Sequence, residues 1–374
     1  MDIVRKNPEI FIPLYLQIKE KIINDILQRK LRKNDRFFSE TELCKKYDVS
    51  RITVRRSIAE LVEENILYKI PAKGTFVSDE IEEKAFLPAL EKEISIIVPD
   101  IDEYAVSTIC SGVKLEADEK NYRSAIYTSG RNIEKECQEI NRLKQTNCRG
   151  AIIFPNWGKV NAEQIFELKR QKFNFVLVDR FFREIDTDYV VVDNKKGAFL
   201  AVSHLIELGH TRIAHIAWPA HTAGTDRLEG YKDALIKNKL LIEDDLIILL
   251  DFSKFARLNI EPESGGYEET KKLLSLNPRP TAIFTASDPV AFEALRAIRE
   301  AGLKVPEDIS IVGFDDLKFS ALLDTPLTTV AQPFREIGKT AMRILADKIE
   351  GKSKEIRQVV LEPKLIVRNS TASV

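Results

Sequence analysis

The chain has 374 residues, 44% of them hydrophobic and 31% charged, which fits a soluble globular protein of two or three folding units with ample core. No apolar run approaches the roughly 20 residues needed to cross a bilayer, and the N-terminus lacks a signal-peptide apolar region, so a cytoplasmic protein with no membrane role is expected. The net charge of −1 is unevenly spread: residues 1–78 hold 16 Lys+Arg and 11 Asp+Glu, whereas the remainder holds 41 and 47, so an anionic partner is expected for the first unit only.

The first unit opens at Pro13, a residue tolerated where a helix begins. Leu14, Ile18, Ile22 and Ile26 recur every fourth residue and predict one buried stripe. Ser39-Glu40-Thr41-Glu42 is a Ser-x-x-Glu capping box for a short second helix ending near Tyr47. Asp48-Val49 makes a turn, and Ser50 caps a third helix whose core face is Val54, Ile58 and Leu61. The exposed start of that helix carries Ser50, Arg51, Thr53, Arg55 and Arg56. Arginine can grip guanine O6/N7 with two bonds, and hydroxyls suit phosphate oxygens. Two short strands, 67–70 and 74–77, flank Pro71-Ala72-Lys73 and form a hairpin with basic groups at Lys69 and Lys73. This is the layout of a winged helix-turn-helix aimed at DNA.

Residues 79–93 are charge-rich, contain Pro88 and read as a linker. From Ile94 onward, short apolar β-branched runs alternate with helix-period segments, which predicts an α/β domain over 94–374 with parallel sheets. The strand candidates are 94–98, 151–154, 175–178, 189–192, 213–217, 282–285 and 309–312. Ligands in such folds sit at the carboxyl ends of strands. The residues placed there are Asp100, Asn156, Trp157, Asp179, Arg180, Asp193, Asn194, Trp218, Ser287, Asp288, Asp315 and Asp316, and Tyr104 joins them as an aromatic near Asp100. Polar groups with aromatic faces suit a sugar. Asp193-Asn194 is better read as a helix cap, and one of Asp315 and Asp316 as fixing a turn.

Other chemistry finds little support. Cys44, Cys110, Cys137 and Cys148 form no Cys-x-x-Cys pair, and Cys137 falls on an apolar stripe with Ile133, Ile140 and Leu143, so inert thiols are expected. His204, His210 and His215 fall on a helix, its terminating turn and a strand, so no metal site is expected, and His210 reads as a group capping the helix end. No phosphate loop, dinucleotide fingerprint or nucleophile elbow occurs. The chain is expected to need no cofactor and not to be an enzyme.

Two resemblances sharpen this reading. The segments PLYLQIKEKI, SETELCKKYDVSRITVRRSIAELVEENILY and KGTFV make residues 13–78 resemble the DNA-binding domain of the GntR family. That resemblance implies DNA contacts from Arg36, Ser50, Arg51, Thr53, Arg55, Lys73 and Gly74. Ile52 departs from it: a polar residue is frequent there, and an isoleucine offers only an apolar contact, such as one to a thymine methyl. Arg56 replaces what is often a neutral residue and adds a phosphate contact.

The segments AVSHLIELGHTRIAHI, DRLEGYKDAL, PTAIFTASDPVAFEALRAIREAGLKVPEDISIVGFDD and PLTTVAQPFREIGKTAM make residues 94–370 resemble the effector domain of the LacI/galactose-repressor family. This implies a two-lobed, periplasmic-binding-protein-like fold that the chain threads three times. It also implies a ligand arginine at Arg227, the Ser287-Asp288 pair and Asp315 in the cleft, with Asp100, Asn156 and Asp179 at further pocket positions. Together the two parts resemble arabinose-repressor-type regulators: a homodimer, controlled by a small sugar, that binds a two-fold operator. The acidic linker, with Asp79, Glu80, Glu82 and Glu83, would be repelled by phosphates, so insertion of a hinge helix into the minor groove is not expected. A sugar receptor without direct DNA regulation and a sugar-processing enzyme are the competing readings.

Overall fold

The computed structural model describes residues 14–28, 31, 34–71, 73–78, 92–143, 148–156, 161–250 and 265–374. Pro13, residues 79–91 of the expected linker, and Trp157 lie outside them. The chain divides into two compact units, Met1–Glu91 and Lys92–Val374.

In the first unit, helix α1 (Leu14–Gln28) buries Ile18, Ile22 and Ile26 almost completely. Leu14, expected on the same stripe, stands in the first turn beyond it and is 45% exposed. Helix α2 (Glu40–Tyr47) starts in the expected capping box: the Glu42 N–H donates to Ser39 Oγ (3.3 Å) and the Ser39 N–H to Glu42 Oε2 (2.7 Å). Helix α3 (Arg51–Glu63) starts at Ser50, whose Oγ accepts the Thr53 N–H at 3.3 Å. The stripes of α1 and α3 meet Phe37, Leu43, Leu67 and Val77 in one core. Strands β1 (Leu67–Ile70) and β2 (Gly74–Val77) pair antiparallel, Leu67 opposite Val77 and Ile70 opposite Gly74. Gly74 closes this wing at φ +123°, a conformation side-chain-bearing residues rarely adopt.

The second unit has two lobes. The chain builds the first from β3 (Lys92–Val98), α4 (Tyr104–Glu119), β4 (Tyr122–Thr128), α5 (Ile133–Arg142), β5 (Gly150–Ile153), α6 (Ala162–Arg170), β6 (Phe175–Val178) and β7 (Tyr189–Val192). It then crosses to α7 (Asn194–Glu207), β8 (Ile213–Ala217), α8 (Thr222–Lys237), β9 (Ile247–Leu249), α9 (Tyr267–Leu274), β10 (Ala282–Thr285), α10 (Asp288–Glu300), β11 (Ser310–Asp315) and β12 (Thr328–Ala331). It returns for α11 (Phe334–Ile349) and β13 (Gln358–Leu361), and crosses a third time into β14 (Lys364–Ile366). The sheets run β13-β7-β6-β5-β3-β4 and β14-β12-β11-β10-β8-β9. Every pairing is parallel except β12 with β14.

The expected strands all form, those at 175–178, 189–192, 213–217 and 282–285 with the expected bounds and the other three with shifted ends. The strand expected at 309–312 runs instead from Ser310 through Gly313 to Asp315. The unexpected strands have physical reasons. β4, β9, β13 and β14 are sheet edges with one side open, so their side chains do not make an unbroken apolar run. In β12, Thr328 and Thr329 are fully buried because their hydroxyls are hydrogen-bonded. The ring of His210 does not cap α7. The His210 N–H closes that helix on the Leu205 carbonyl (3.1 Å), while the ring lies buried against Thr281, Ser310 and the Ala372 carbonyl. Burial also lowers its pKa, which disfavours the charged ring. Cys137 is half-buried, and burial pushes the Cys110 thiol up to about 11.

His215 on β8 is wholly buried, stacked 4.6 Å from Phe284 and 5.1 Å from Tyr231. Its Nδ1 lies 3.0 Å from the Phe284 carbonyl, which can only accept, so Nδ1 carries the proton. Nε2 is buried without a hydrogen-bond partner, and burial lowers the ring's pKa to about 4. The unfolded chain therefore takes up a proton below about 6.5 that the folded one refuses, and stability falls as pH drops from 6.5 towards 4. Both tryptophans, Trp157 and Trp218, lie in the second unit, so their fluorescence follows its unfolding. Going from pH 6.5 to 5 should cost about 1.6 kcal/mol at this one group. His215→Leu should flatten the slope by that amount, measured as urea unfolding at the two pH values.

Candidate nucleic-acid interface and effector cleft

The capped start of α3 sets out its basic side chains in a fixed pattern. Arg51 and Arg55 donate through Nε to one oxygen of Glu40, at 3.1 and 2.9 Å, and Lys69 of the wing stands 3.7 Å from the other oxygen. Burial opposes ionisation of Glu40, but hydrogen bonds from Arg55 and Arg51 outweigh it and lower its pKa. The arginine side chains remain 64% and 60% exposed. Because each grips Glu40 through Nε, its paired terminal nitrogens remain for a two-bond partner. Arg56 lies 3.8 Å over the Tyr15 ring. The Ser50 and Thr53 hydroxyls face each other at 2.9 Å. Arg36 bridges to Phe76 beside the wing, and a side chain on Gly74 would meet Arg36 Nε at 3.5 Å. Lys73 is exposed at the wing tip. Glu40 itself was missed from sequence, where it registered only as part of a helix cap.

In the second unit the strand ends enclose a cavity of about 520 Å³ between the lobes. Of the predicted residues, Asp100, Tyr104, Asp179, Arg180, Trp218, Arg227, Ser287 and Asp315 line it. Asn156 lies in a neighbouring pocket of about 240 Å³, its amide donating to Ser129 Oγ at 2.8 Å. Asp193 caps α7 as expected, accepting the Lys196 N–H at 2.8 Å. Asp316 is held by Arg368 at 2.6 Å, a partner far along the chain.

Asp288 does not line the cleft. It is fully buried and receives the Leu317 N–H (2.9 Å), the Ser320 hydroxyl (2.6 Å) and the Thr329 hydroxyl (2.5 Å). A Cβ on Gly313 would sit 2.2 Å from Asp288 Oδ1, so the strand can pass only as glycine. Burial is the dominant influence on this carboxyl and raises its pKa to about 6.

The lining residues restrain one another. Arg227 donates to Asn194 Oδ1 (2.9 Å) and the Ala286 carbonyl (2.5 Å), lies 3.7 Å over the Phe314 ring and stands 3.8 Å from Asp315. Burial, opposed by the Arg227 charge, raises the Asp315 pKa to about 8. Asp315 and Asp179 both hold positive φ, at 122° and 67°, so backbone strain gathers at the cleft. His221 caps α8 by accepting the Gly224 N–H on Nδ1 (3.1 Å), and burial beside Arg180 and Arg227 pushes its pKa well below the usual value. Arg180 donates to Asp179 (3.1 Å), but its Nη1 is buried without a partner, as is Gln332 Oε1. The lobes touch at the cleft margin through the Phe181 N–H on Thr222 Oγ1 (3.3 Å) and an Arg183–Asp226 ion pair. Arg131 and Gln332 went unseen in sequence because each follows a strand, β4 or β12, that no apolar run announced. Among the described residues, no group of three His, Cys, Asp or Glu side chains is placed to hold a metal ion, and no helix is long and apolar enough to cross a membrane.

A basic winged helix-turn-helix joined in one chain to a two-lobed α/β domain with a polar cleft defines a ligand-responsive transcriptional regulator. Residues 14–77 match the gntR family of bacterial regulatory proteins, and residues 202–371 match the periplasmic binding protein-like domain. The arabinose metabolism transcriptional repressor of Geobacillus stearothermophilus is 31% identical over 367 residues, 97% of this chain and 99% of that one. A transcriptional regulator CelR–cellobiose complex aligns with TM-score 0.67 at 28% identity, covering 86% of this chain and 91% of that one. A LacI family regulator of Enterococcus faecium with bound ribose aligns with TM-score 0.63 at 32% identity, over 76% of this chain and all of that one. The chain belongs to the family of GntR-type transcriptional repressors with a periplasmic-binding-protein-like effector domain, and these relatives are regulators rather than enzymes.

Asp288→Ala leaves three buried donors facing a void. It should destabilise the second unit by on the order of 3 kcal/mol, read from the urea midpoint of tryptophan fluorescence. An unchanged midpoint contradicts the supporting role.

Proposed function

We propose that this protein is a cytoplasmic, homodimeric repressor whose cleft takes an uncharged sugar and whose winged domains read a two-fold operator. The division into a DNA reader at 1–78, a linker at 79–93 and a sensor at 94–374 belongs to this reading. The carrying observation is the pair of buried, unpartnered groups in the cleft: Arg180 Nη1 is a donor and Gln332 Oε1 an acceptor. A polyhydroxylated ligand satisfies both, and Trp218 supplies an apolar face for its C–H groups.

The charge of the lining favours a neutral ligand. Asp100, Asp102, Glu103 and Asp179 stand against Arg131, Arg180 and Arg227. Two of the guanidiniums already face a carboxylate, Arg131 with Glu103 (3.1 Å) and Arg180 with Asp179 (3.1 Å), while Arg227 stands 3.8 Å from the carboxyl of Asp315 and is held by Asn194 and the Ala286 carbonyl. A phosphorylated sugar would have to compete with these carboxylates. On the DNA side, Arg51 and Arg55 are the base-reading groups. Arg36, Ser50, Thr53, Arg56, Lys69, Lys73 and the Gly74 backbone hold the phosphates. Exposed Ile236 near the end of α8, Leu241 after it and Leu249 at the end of edge strand β9 support association with a second copy.

The sugar must bind two sensor conformations with different affinity to alter DNA binding, and DNA then alters sugar affinity by the same factor. Arg51→Ala should lower operator affinity ~10- to 100-fold in a gel shift while sugar affinity stays intact. Arg227→Ala should keep operator binding and lose its response to sugar. Among ribose, arabinose and cellobiose, titrated calorimetrically, the sugar that binds should do so more tightly than its phosphate ester. A tighter-binding phosphate would refute the neutral-ligand assignment.

A further inference from the structure

Two large apolar side chains are exposed among the described residues of the first unit, Leu14 and Ile52, and Ile52 is 80% exposed. It is the second residue of α3. Successive helix residues turn by about 100°, so Ile52, two positions before buried Val54, points away from the stripe of Val54, Ser57, Ile58 and Leu61. The same outward side carries Arg51, Arg55, Arg56 and Ala59. The carboxylates of α3 come later, at Glu60 and Glu63, and Glu60 faces Lys19 at 3.6 Å. Ile52 is therefore the apolar member of an otherwise cationic helix start, with Arg51 and Arg55 held beside it by Glu40.

We propose that Ile52 is a specificity residue, reading the C5-methyl group of a thymine in the operator. The proposal rests on the DNA-reading role assigned to the start of α3. In the major groove each base pair shows hydrogen-bonding groups, and thymine alone adds a methyl. Isoleucine has no donor or acceptor, so that methyl is the one base feature it can recognise. Its β-branched side chain holds one strongly preferred rotamer in a helix, which fixes where the contact falls. Arg51 and Arg55 then supply the polar part of the readout on either side.

The test uses the full chain and an operator enriched by it from a random duplex pool. Each thymine in turn is replaced by deoxyuridine, which pairs identically but lacks the methyl. The expected result is one position per half-site where the wild-type protein binds about fourfold more weakly, the effect of one methyl contact, and more than tenfold when both half-sites are changed. Ile52→Ala should bind the thymine and deoxyuridine operators equally at that position. The proposal falls if no thymine shows a methyl effect with the wild-type protein, a measurement that needs no variant. It falls equally if Ile52→Ala keeps the whole discrimination. If the wild-type chain enriches no sequence at all, the DNA-reading role fails, and this assignment with it.

Discussion

A carboxylate without access to water has to be met by donors, and at Asp288 three segments of the chain supply them. The Leu317 N–H, the Ser320 hydroxyl and the Thr329 hydroxyl converge on it. The start of α10, the turn after β11 and strand β12 are thereby tied to one another beneath the cleft. Asp315 leaves its strand at a positive φ between these fixed points, and Gln332 follows the strand that carries Thr329. The cleft surface is placed by a charge that the ligand never meets, and Gly313 lacks a side chain because that charge occupies the space.

Glu40 plays a comparable part in the first unit, but at the surface. It draws Arg51, Arg55 and Lys69 together from a helix and a wing, groups that would otherwise repel. An exposed ion pair contributes little to stability, so its value lies in holding side chains of high conformational freedom in one arrangement before DNA arrives. In both units, then, an acid organises the functional surface, under burial in one and in solvent in the other.

The sequence shows most of this fold because the local signals agree. The Ser39 and Ser50 caps, the four-residue isoleucine spacing and the apolar parallel strands each describe structure that forms within a few residues. Strands at sheet edges and the threonine-rich β12 were hidden, since their polar atoms are satisfied by partners far along the chain. The same limit applies to the cleft. Arg227, Asp315 and Trp218 could be found by position, yet Asp288 looked like a ligand because sequence cannot say which way a strand-end carboxylate turns. Glu40 and His210 were similarly read from their own helices, whereas their side chains answer to other segments.

The three passages of the chain between lobes have one more consequence. Near residues 193, 332 and 362 the backbone runs side by side, with the Asp193 N–H bonded to the Leu361 carbonyl at 2.9 Å and Lys196 paired with Glu362 at 2.5 Å. A single tether would let the lobes swivel in any direction. Three adjacent tethers leave one easy motion, a bend about the line through them, so a small molecule entering the mouth of the cleft can do little except draw the two halves together along that path.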